Sequence, residues 1–428
     1  MITNIKTVWR QVKLDEGDGL SLIIDHRGIT PKKLGGGWDS AGIPALSAKN
    51  IKNGQIINYA DIRYINQKLY DRWMPEKLER GDILLTSEAP LGELYFLNEK
   101  ADYCLSQRLF ALRSNSDVLD PQYLYYFLKS LMGQHELMRR ISGTAAQGIR
   151  QAELRKVEIS TPVDIKEQRR IISILSAFDD KIELNNKISK NLEQMAQAIF
   201  KELFVKFKFP GHEKVKMVDS ELGKIPDGWK VKKIKDVANI NKGLSYSSAE
   251  IKENNSGLPM INLANFVRGG GFKVEGIKFF SGRYNNSNLV KRGDVVIALT
   301  DLTSNREVIG HPARVPEISG WNNILISLDV CSLETKEILK PFLYYLMLRK
   351  EFSYLMASSA SGTNVSHLNK SVIEEYLFCL PPDEFLEKFY TVVNSIFAKA
   401  NKIVSENQNL ATLRDLLLPR LMSGEIRV

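Results

Sequence analysis

Cysteine is scarce in this chain. Cys104, Cys331 and Cys379 lie far apart in 428 residues. They form neither a disulfide framework nor a metal-ligand set, and they suit a reducing compartment. The five histidines sit singly, without metal-ligand spacing. No stretch approaches the ~18 uncharged apolar residues that a spanning helix needs. The opening MITNIKTVWRQVKLDEGDG has no apolar run of signal-peptide length. The expectation is a cytoplasmic protein without membrane contact.

Catalytic motifs are missing as well. No Gly-x-x-x-x-Gly-Lys-[Ser/Thr] loop occurs. The clusters Gly35-Gly36-Gly37 and Gly269-Gly270-Gly271 lack dinucleotide-loop spacing and read as turns. In Leu380-Pro381-Pro382-Asp383, leucine precedes the prolines and aspartate follows. A loop that grips a flipped base needs an amide or carboxylate before and an aromatic after. The segment therefore reads as a strand-to-helix boundary. No serine or cysteine nucleophile with a base can be picked out. Asp179-Asp180 reads as the solvated face of a helix. The expectation is no catalytic residue, no metal and no cofactor in this chain.

What is present is ordinary globular composition, 43% apolar and 25% charged. The length suggests two to four domains, roughly 100–200 residues each. An internal repeat settles the organisation. Arg27-Gly28 and Lys242-Gly243 lie 215 apart, as do Gly42-Ile43-Pro44 and Gly257-Leu258-Pro259, and Asn50 and Asn265. Arg80-Gly81-Asp82 matches Arg292-Gly293-Asp294 at 212. Leu124-Tyr125-Tyr126 matches Leu343-Tyr344-Tyr345 at 219, and Ser142-Gly143-Thr144 matches Ser361-Gly362-Thr363 at the same offset. Pro162 with Pro381 and Phe178 with Phe397 keep it too.

Each copy has two parts. The first is an α+β globule whose short β-type runs are punctuated by Gly, Asn and Pro. A helical stretch carrying the Leu-Tyr-Tyr triplet follows, and the triplets read as core packing. The second part is a long helix, from about Asp164 to Phe207 and from about Asp383 to Leu418, where Pro419 is expected to stop it. At 1.5 Å per residue these are roughly 65 and 54 Å long. One seam carries Ile171, Leu175, Phe178, Ile182, Leu192 and Ile199. The other carries Phe389, Val393, Ile396, Ile403, Leu410 and Leu417. Neither stripe can be covered by a small globule alone, so each helix is the other's natural partner. Asn185, Ser189 and Asn407 fall on or near the seam. Either a buried Asn sets the pairing register or the seam drifts there toward solvent.

The predicted domains are 1–160 (first globule), 161–207 (first long helix), 208–230 (linker), 231–381 (second globule) and 382–428 (second long helix and a polar tail). The formal charge of +9 is distributed as +3, +1, +1, +4 and 0 over these segments. The excess sits on the globules, as expected of nucleic-acid-facing heads on neutral helices.

Three segments then carry a family resemblance: FKELFVKFKFPGHE after the first helix, LGKIPDGWKVKKIKDV opening the second globule, and LLLPRLMSGEIRV at the end. With the duplication, they make the whole chain resemble the DNA-specificity subunit of a type I restriction–modification system. The resemblance implies an α+β fold of two duplicated target-recognition domains joined by two long antiparallel coiled-coil helices. It implies a non-catalytic subunit that reads a bipartite, asymmetric site on double-stranded DNA, one half-site per domain, with the spacer set by the helices. The implied partners are two N6-adenine methyltransferase (modification) subunits and restriction/translocase subunits. S-adenosylmethionine, ATP and Mg are expected on those partners. A stand-alone methyltransferase or nuclease with degenerate motifs, and a coiled-coil protein scaffold, are the competing classes.

The resemblance carries over no base-reading residue. Candidates come from residue type and position: Lys49, Asn50, Gln107, Arg108, Asn262, Asn265, Arg268, Asn322 and Asn323 in or beside strands. Gln147, Arg150, Asn364, His367 and Lys370 follow the Ser-Gly-Thr triplets, where helix-like segments open and backbone N–H groups could hold a phosphate.

Overall fold

The computed structural model describes residues 8–142, 147–252, 256–303, 305–318, 320–362 and 365–428. The chain divides into two compact units, 1–184 with 407–428, and 185–406.

Each unit is built round a four-stranded antiparallel sheet. In the first unit the order is Leu20–Asp25, Leu109–Ser114, Ile83–Thr86, Leu94–Phe96. In the second it is Ala238–Lys242, Val330–Thr335, Val295–Ala298, Pro312–Arg314. The inner strand Ile83–Thr86 is buried throughout. Side chains alternate across a strand. Ile83 and Leu85 join a core with the helix Pro121–Lys129, while Leu84 joins a second core with the helix Gln67–Trp73. Val295–Ala298 divides the same way, with Val295 and Ile297 in one cluster and Val296 and Ala298 in another. A strand covered on both faces reads as an unbroken apolar run, which explains ILLT and VVIALT.

The matched Arg-Gly-Asp triplets enter these strands through the same contact. Asp82 accepts from the Glu79 N–H at 2.8 Å and from two nitrogens of Arg113, each at 2.8 Å. Asp294 accepts from the Lys291 N–H at 2.8 Å and from Lys340 Nζ at 2.7 Å. The glycine of each triplet has positive φ, +93° and +87°, which a Cβ would disfavour.

The first long helix is Ile165–Phe200, followed by a π-helical turn, Lys201–Val205. The α-helix therefore ends before Phe207. The turn carries Phe204 into a ring cluster, 5.4 Å from Phe200, 5.1 Å from Phe342 and 5.0 Å from Phe389. The second helix is Asp383–Met422 and continues through Pro419. Proline removes one helical N–H. Burial of Leu418, Leu421 and Met422 in the first unit's core holds the last turn regardless.

The long helices pair antiparallel. In the second unit Asn185 bonds to Glu406 at 3.0 Å, while Phe204, further along the first helix, meets Phe389, earlier in the second. Of the predicted seam, Ile171, Leu175, Leu192, Phe389, Val393, Ile396 and Ile403 are buried. Phe178, Ile182, Ile199, Leu410 and Leu417 are half-buried. Asn185 is 1% exposed, so it is buried and does not face solvent at this position.

Three expectations change. Asp179 is not on a solvated face: it accepts from the Tyr126 hydroxyl at 2.7 Å and pairs with Arg414 and, at 3.7 Å, with Lys129. The expected linker contains a hairpin, Met217–Ser220 with Gly223–Pro226, and Phe209, Ile225 and Trp229 are buried. The expected polar tail packs on the first unit, with Ile426 and Val428 against its core and Gly424 against Trp9. In the last two cases apolar side chains within a polar stretch found a core that local composition does not reveal.

Phe204→Ala is expected to cost about 3–5 kcal/mol through the void it leaves among these rings. Chemical denaturation of the full chain, with helicity as the readout, checks this.

Candidate nucleic-acid interface

Both units contain the same four-segment junction at the end of the central strand. In the first, Ile43–Leu46 and Cys104–Leu105 run parallel. Beyond them the Ser106 N–H donates to Leu46 O at 2.8 Å. The Ser87 N–H donates to Arg108 O at 2.9 Å, and the Ile149 N–H donates to Ser87 O at 2.9 Å. In the second unit Leu258–Ile261 runs parallel to Ile324–Ile326. The Ser327 N–H donates to Ile261 O at 2.9 Å, the Leu299 N–H to Asp329 O at 2.7 Å, and the Leu368 N–H to Leu299 O at 2.8 Å. The bonds common to the two junctions run from backbone to backbone, so the side chains there can differ between copies.

They do differ. In the first unit Arg108, with φ +65°, pairs its Nε with Glu88 at 2.8 Å and keeps half its side chain exposed. At the equivalent positions of the second unit, the Thr300 hydroxyl donates to Asp329 at 2.9 Å. Gly148 of the first junction corresponds to His367 of the second; each exchanges backbone bonds with its serine, Ser142 or Ser361.

The first junction gathers five predicted residues on exposed surface: Lys49, Gln107, Arg108, Gln147 and Arg150. The Ala48 N–H donates to Gln107 O at 3.1 Å, which places Lys49 beside Gln107. Arg150 stands at the N-terminal end of the short helix Gln151–Leu154. In the second unit His367 is exposed, and Arg268 pairs with Glu307 at 3.2 Å in the loop that carries Arg306. Lys370 is half-buried, with its Nζ 2.7 Å from Glu374 and 3.4 Å from Ile240 O. Asn322 and Asn323 are exposed but precede the strand Ile324–Ile326, so they lie at its far end, away from the junction. Asn364 lies outside the described residues.

Three candidates drop out. Asn50 is 1% exposed, its Oδ1 accepts from Ser47 N–H and Oγ–H, and its Nδ2 faces Ile57 O and Asn58 O. Asn265 is fully buried and repeats this, accepting from the Asn262 N–H at 2.9 Å and donating to Lys273 O at 3.1 Å. Asn262 caps the same turn, accepting from the Ala264 N–H and donating to Gly276 O. A buried amide with both ends engaged has nothing to offer a base edge. The match of Asn50 with Asn265 records a shared turn.

Arg306 was not legible in the sequence. It adopts φ +54° and ties the loop down, with Nη1 2.6 Å from Ala357 O and Nε 3.1 Å from Ser366 Oγ. Asp301 closes the same loop. Burial would raise its pKa, but N–H groups of Thr303, Val308 and Ile309 hold it below the ordinary carboxylate value. Glu88 and Thr300 could have been found from the offset of 212. The pairing of Arg108 with Asp329 needs a different offset and emerges only from the backbone bonds.

The two units therefore share one backbone frame with different polar side chains at equivalent positions. The family model described as type I restriction modification DNA specificity domain matches the chain twice, over residues 22–194 and 226–406. The chain belongs to this family of type I restriction–modification specificity subunits. It is 30% identical over 417 residues to the type I restriction enzyme MjaIX specificity subunit of Methanocaldococcus jannaschii, spanning 94% of this chain and 90% of that protein. It is 25% identical to the HindI specificity subunit of Haemophilus influenzae, over 88% of this chain and 94% of that one. The crystal structure of the S subunit from M. genitalium shares the fold, with TM-score 0.52 over 98% of both chains at 18% identity. Such a subunit is the non-catalytic component of a multi-subunit enzyme. Among the described residues, no helix is long and apolar enough to cross a membrane.

Asn50→Ala and Asn265→Ala are each expected to lower stability by about 1–3 kcal/mol and to leave the recognised DNA sequence unchanged. Thermal unfolding and a methylation-site readout of the assembled enzyme check the two halves of this statement.

Proposed function

We propose that the chain reads a bipartite, asymmetric site on double-stranded DNA, one half-site per globule, and brings two N6-adenine methyltransferase subunits and the restriction subunits to it. The observation that carries this is the duplicated junction: one backbone frame, with Arg108 and Glu88 in one copy and Asp329 and Thr300 in the other. Equal frames suit related docking geometry on DNA, and unequal side chains suit unequal half-sites. Duplication within one chain does what a symmetric dimer does on a palindrome.

Under this reading Lys49, Arg108, Gln147, Arg150, Arg268 and His367 meet phosphates or base edges. The helix pair acts as the ruler. Its members have 36 and 40 α-helical residues, or ~54 and ~60 Å at 1.5 Å per residue. A DNA turn is about 34 Å, so one to two turns are spanned. S-adenosylmethionine, ATP and Mg act on the partner subunits, and the chain works in the cytoplasm.

Four experiments test this. Lengthening the first long helix by whole turns is expected to change the spacer and keep both half-site sequences; altered half-site bases would defeat the ruler model. Replacing residues 1–160 by the first domain of another family member is expected to change one half-site only. Within that domain, Arg108→Gln is expected to weaken binding of the assembled methyltransferase to DNA by about 1–3 kcal/mol if it reads a base, measured at fixed salt on duplexes varied in each half-site. Methyl transfer from S-adenosylmethionine by the purified chain alone would refute the whole reading.

A further inference from the structure

A cavity of about 350 Å³ opens in the second unit between the globule and the second long helix. Arg292, Arg314, Lys340 and Glu337 line it from the globule, and Tyr390 and Asn394 from the helix. Lys340 is held by Asp294 at 2.7 Å and by Glu337 at 2.5 Å. Arg292 is held by Glu317 at 2.6 Å. Arg314 differs: among the described residues no carboxylate lies within ion-pair distance. Its guanidinium stacks 3.9 Å from the centre of the Phe397 ring. Burial is the largest influence and lowers its pKa, with Arg292 adding to this, while Tyr344, Tyr345 and Glu193 oppose it in part.

The duplication shows that this charge is not required by the fold. Arg314 pairs with Val295 across the sheet, as Phe96 pairs with Ile83 in the first copy. Phe96 there packs on Tyr125, 5.6 Å between ring centres. The same position therefore holds a half-buried phenylalanine packed against the core in one unit and, in the other, a cation beside a cavity with no carboxylate in ion-pair range among the described residues.

We propose that this cavity is a socket for a single carboxylate side chain of a partner protein subunit, held by Arg314 with Tyr390 and Asn394 beside it. Arg314 is the lining cation with no carboxylate of its own in ion-pair range among the described residues, and its planar guanidinium suits a carboxylate. DNA is the less suitable source. The cavity adjoins Arg292 and Gly293, before the strand Val295–Ala298, whereas the junction begins at Leu299, after it. Four extended residues put them ~13 Å apart or more, with the long helix on the cavity side. The proposal rests on the reading above that the chain assembles with partner subunits.

The test uses the full chain with its modification subunits. Subunit dissociation is measured by mass photometry over a salt series for the native chain, Arg314→Phe and Arg314→Gln, and DNA binding by each complex is measured alongside. Phenylalanine restores the residue of the first copy, and glutamine serves if that variant does not fold. The expected result is a folded variant whose subunit affinity falls about tenfold or more, with a shallower salt dependence. Unchanged subunit affinity overturns the proposal. So does unchanged assembly with weaker DNA binding, which would assign the anion to a phosphate. Unfolding of both variants would make Arg314 a core residue and overturn it too. If the native chain fails to assemble with the methyltransferase subunits at all, the functional reading falls instead.

Discussion

The structure depends on the burial of two apolar stripes that neither long helix can cover alone. A 40-residue helix with one apolar face is not stable in water by itself. Each stripe is covered partly by the other helix and partly by the helix that carries a Leu-Tyr-Tyr triplet. Both second tyrosines do this in the same way. Tyr126 donates to Asp179 and Tyr345 to Glu193, each carboxylate lying on the first long helix. The ring packs in the core while the hydroxyl satisfies a carboxylate that burial would otherwise penalise. Around Tyr345 the contact is almost entirely aromatic, with Phe200, Phe389 and Phe397 each about 6 Å away between ring centres.

That arrangement separates what must be kept from what can vary. Sheet order, the aspartate after each Arg-Gly, the buried Asn50 and Asn265, and the three backbone bonds of each junction recur in both copies. They depend on backbone geometry and on buried side chains, where a change costs stability. At the junction Arg108 is exposed while Thr300 is buried, and the same backbone frame holds Arg108 with Glu88 in one copy and Asp329 with Thr300 in the other. A recognition protein benefits from this division, because its surface chemistry can change while its frame holds.

Much of this was legible in the residues. The offsets of 215, 212 and 219 mark the duplication because identical turns need identical residues: glycine at positive φ, asparagine to cap, proline at a boundary. The long helices were legible because an apolar period of three to four, kept up over more than thirty residues, lines one face of an α-helix and of no strand or loop. The candidate site was legible only in part. Asparagine serves equally as a base reader and as a turn cap, and residue type alone does not separate the two. Asn50, Asn262 and Asn265 proved to be caps, while Lys49, Gln107 and Arg108 proved exposed and adjacent.

By itself the sequence determined the two-copy organisation, the identity of the rigid elements and the family. Those follow from local periodicity and from motifs repeated along the chain. Only the tertiary structure decided which polar side chains face water, that Asp179 is satisfied by Tyr126 and Arg414, that Pro419 lies inside a helix, and that Arg314 stands where the first copy has Phe96. Each of these depends on contacts between residues distant in sequence. Burial, which sets the cost of a charge or an unpaired amide, is a property of the packed molecule and not of the residue.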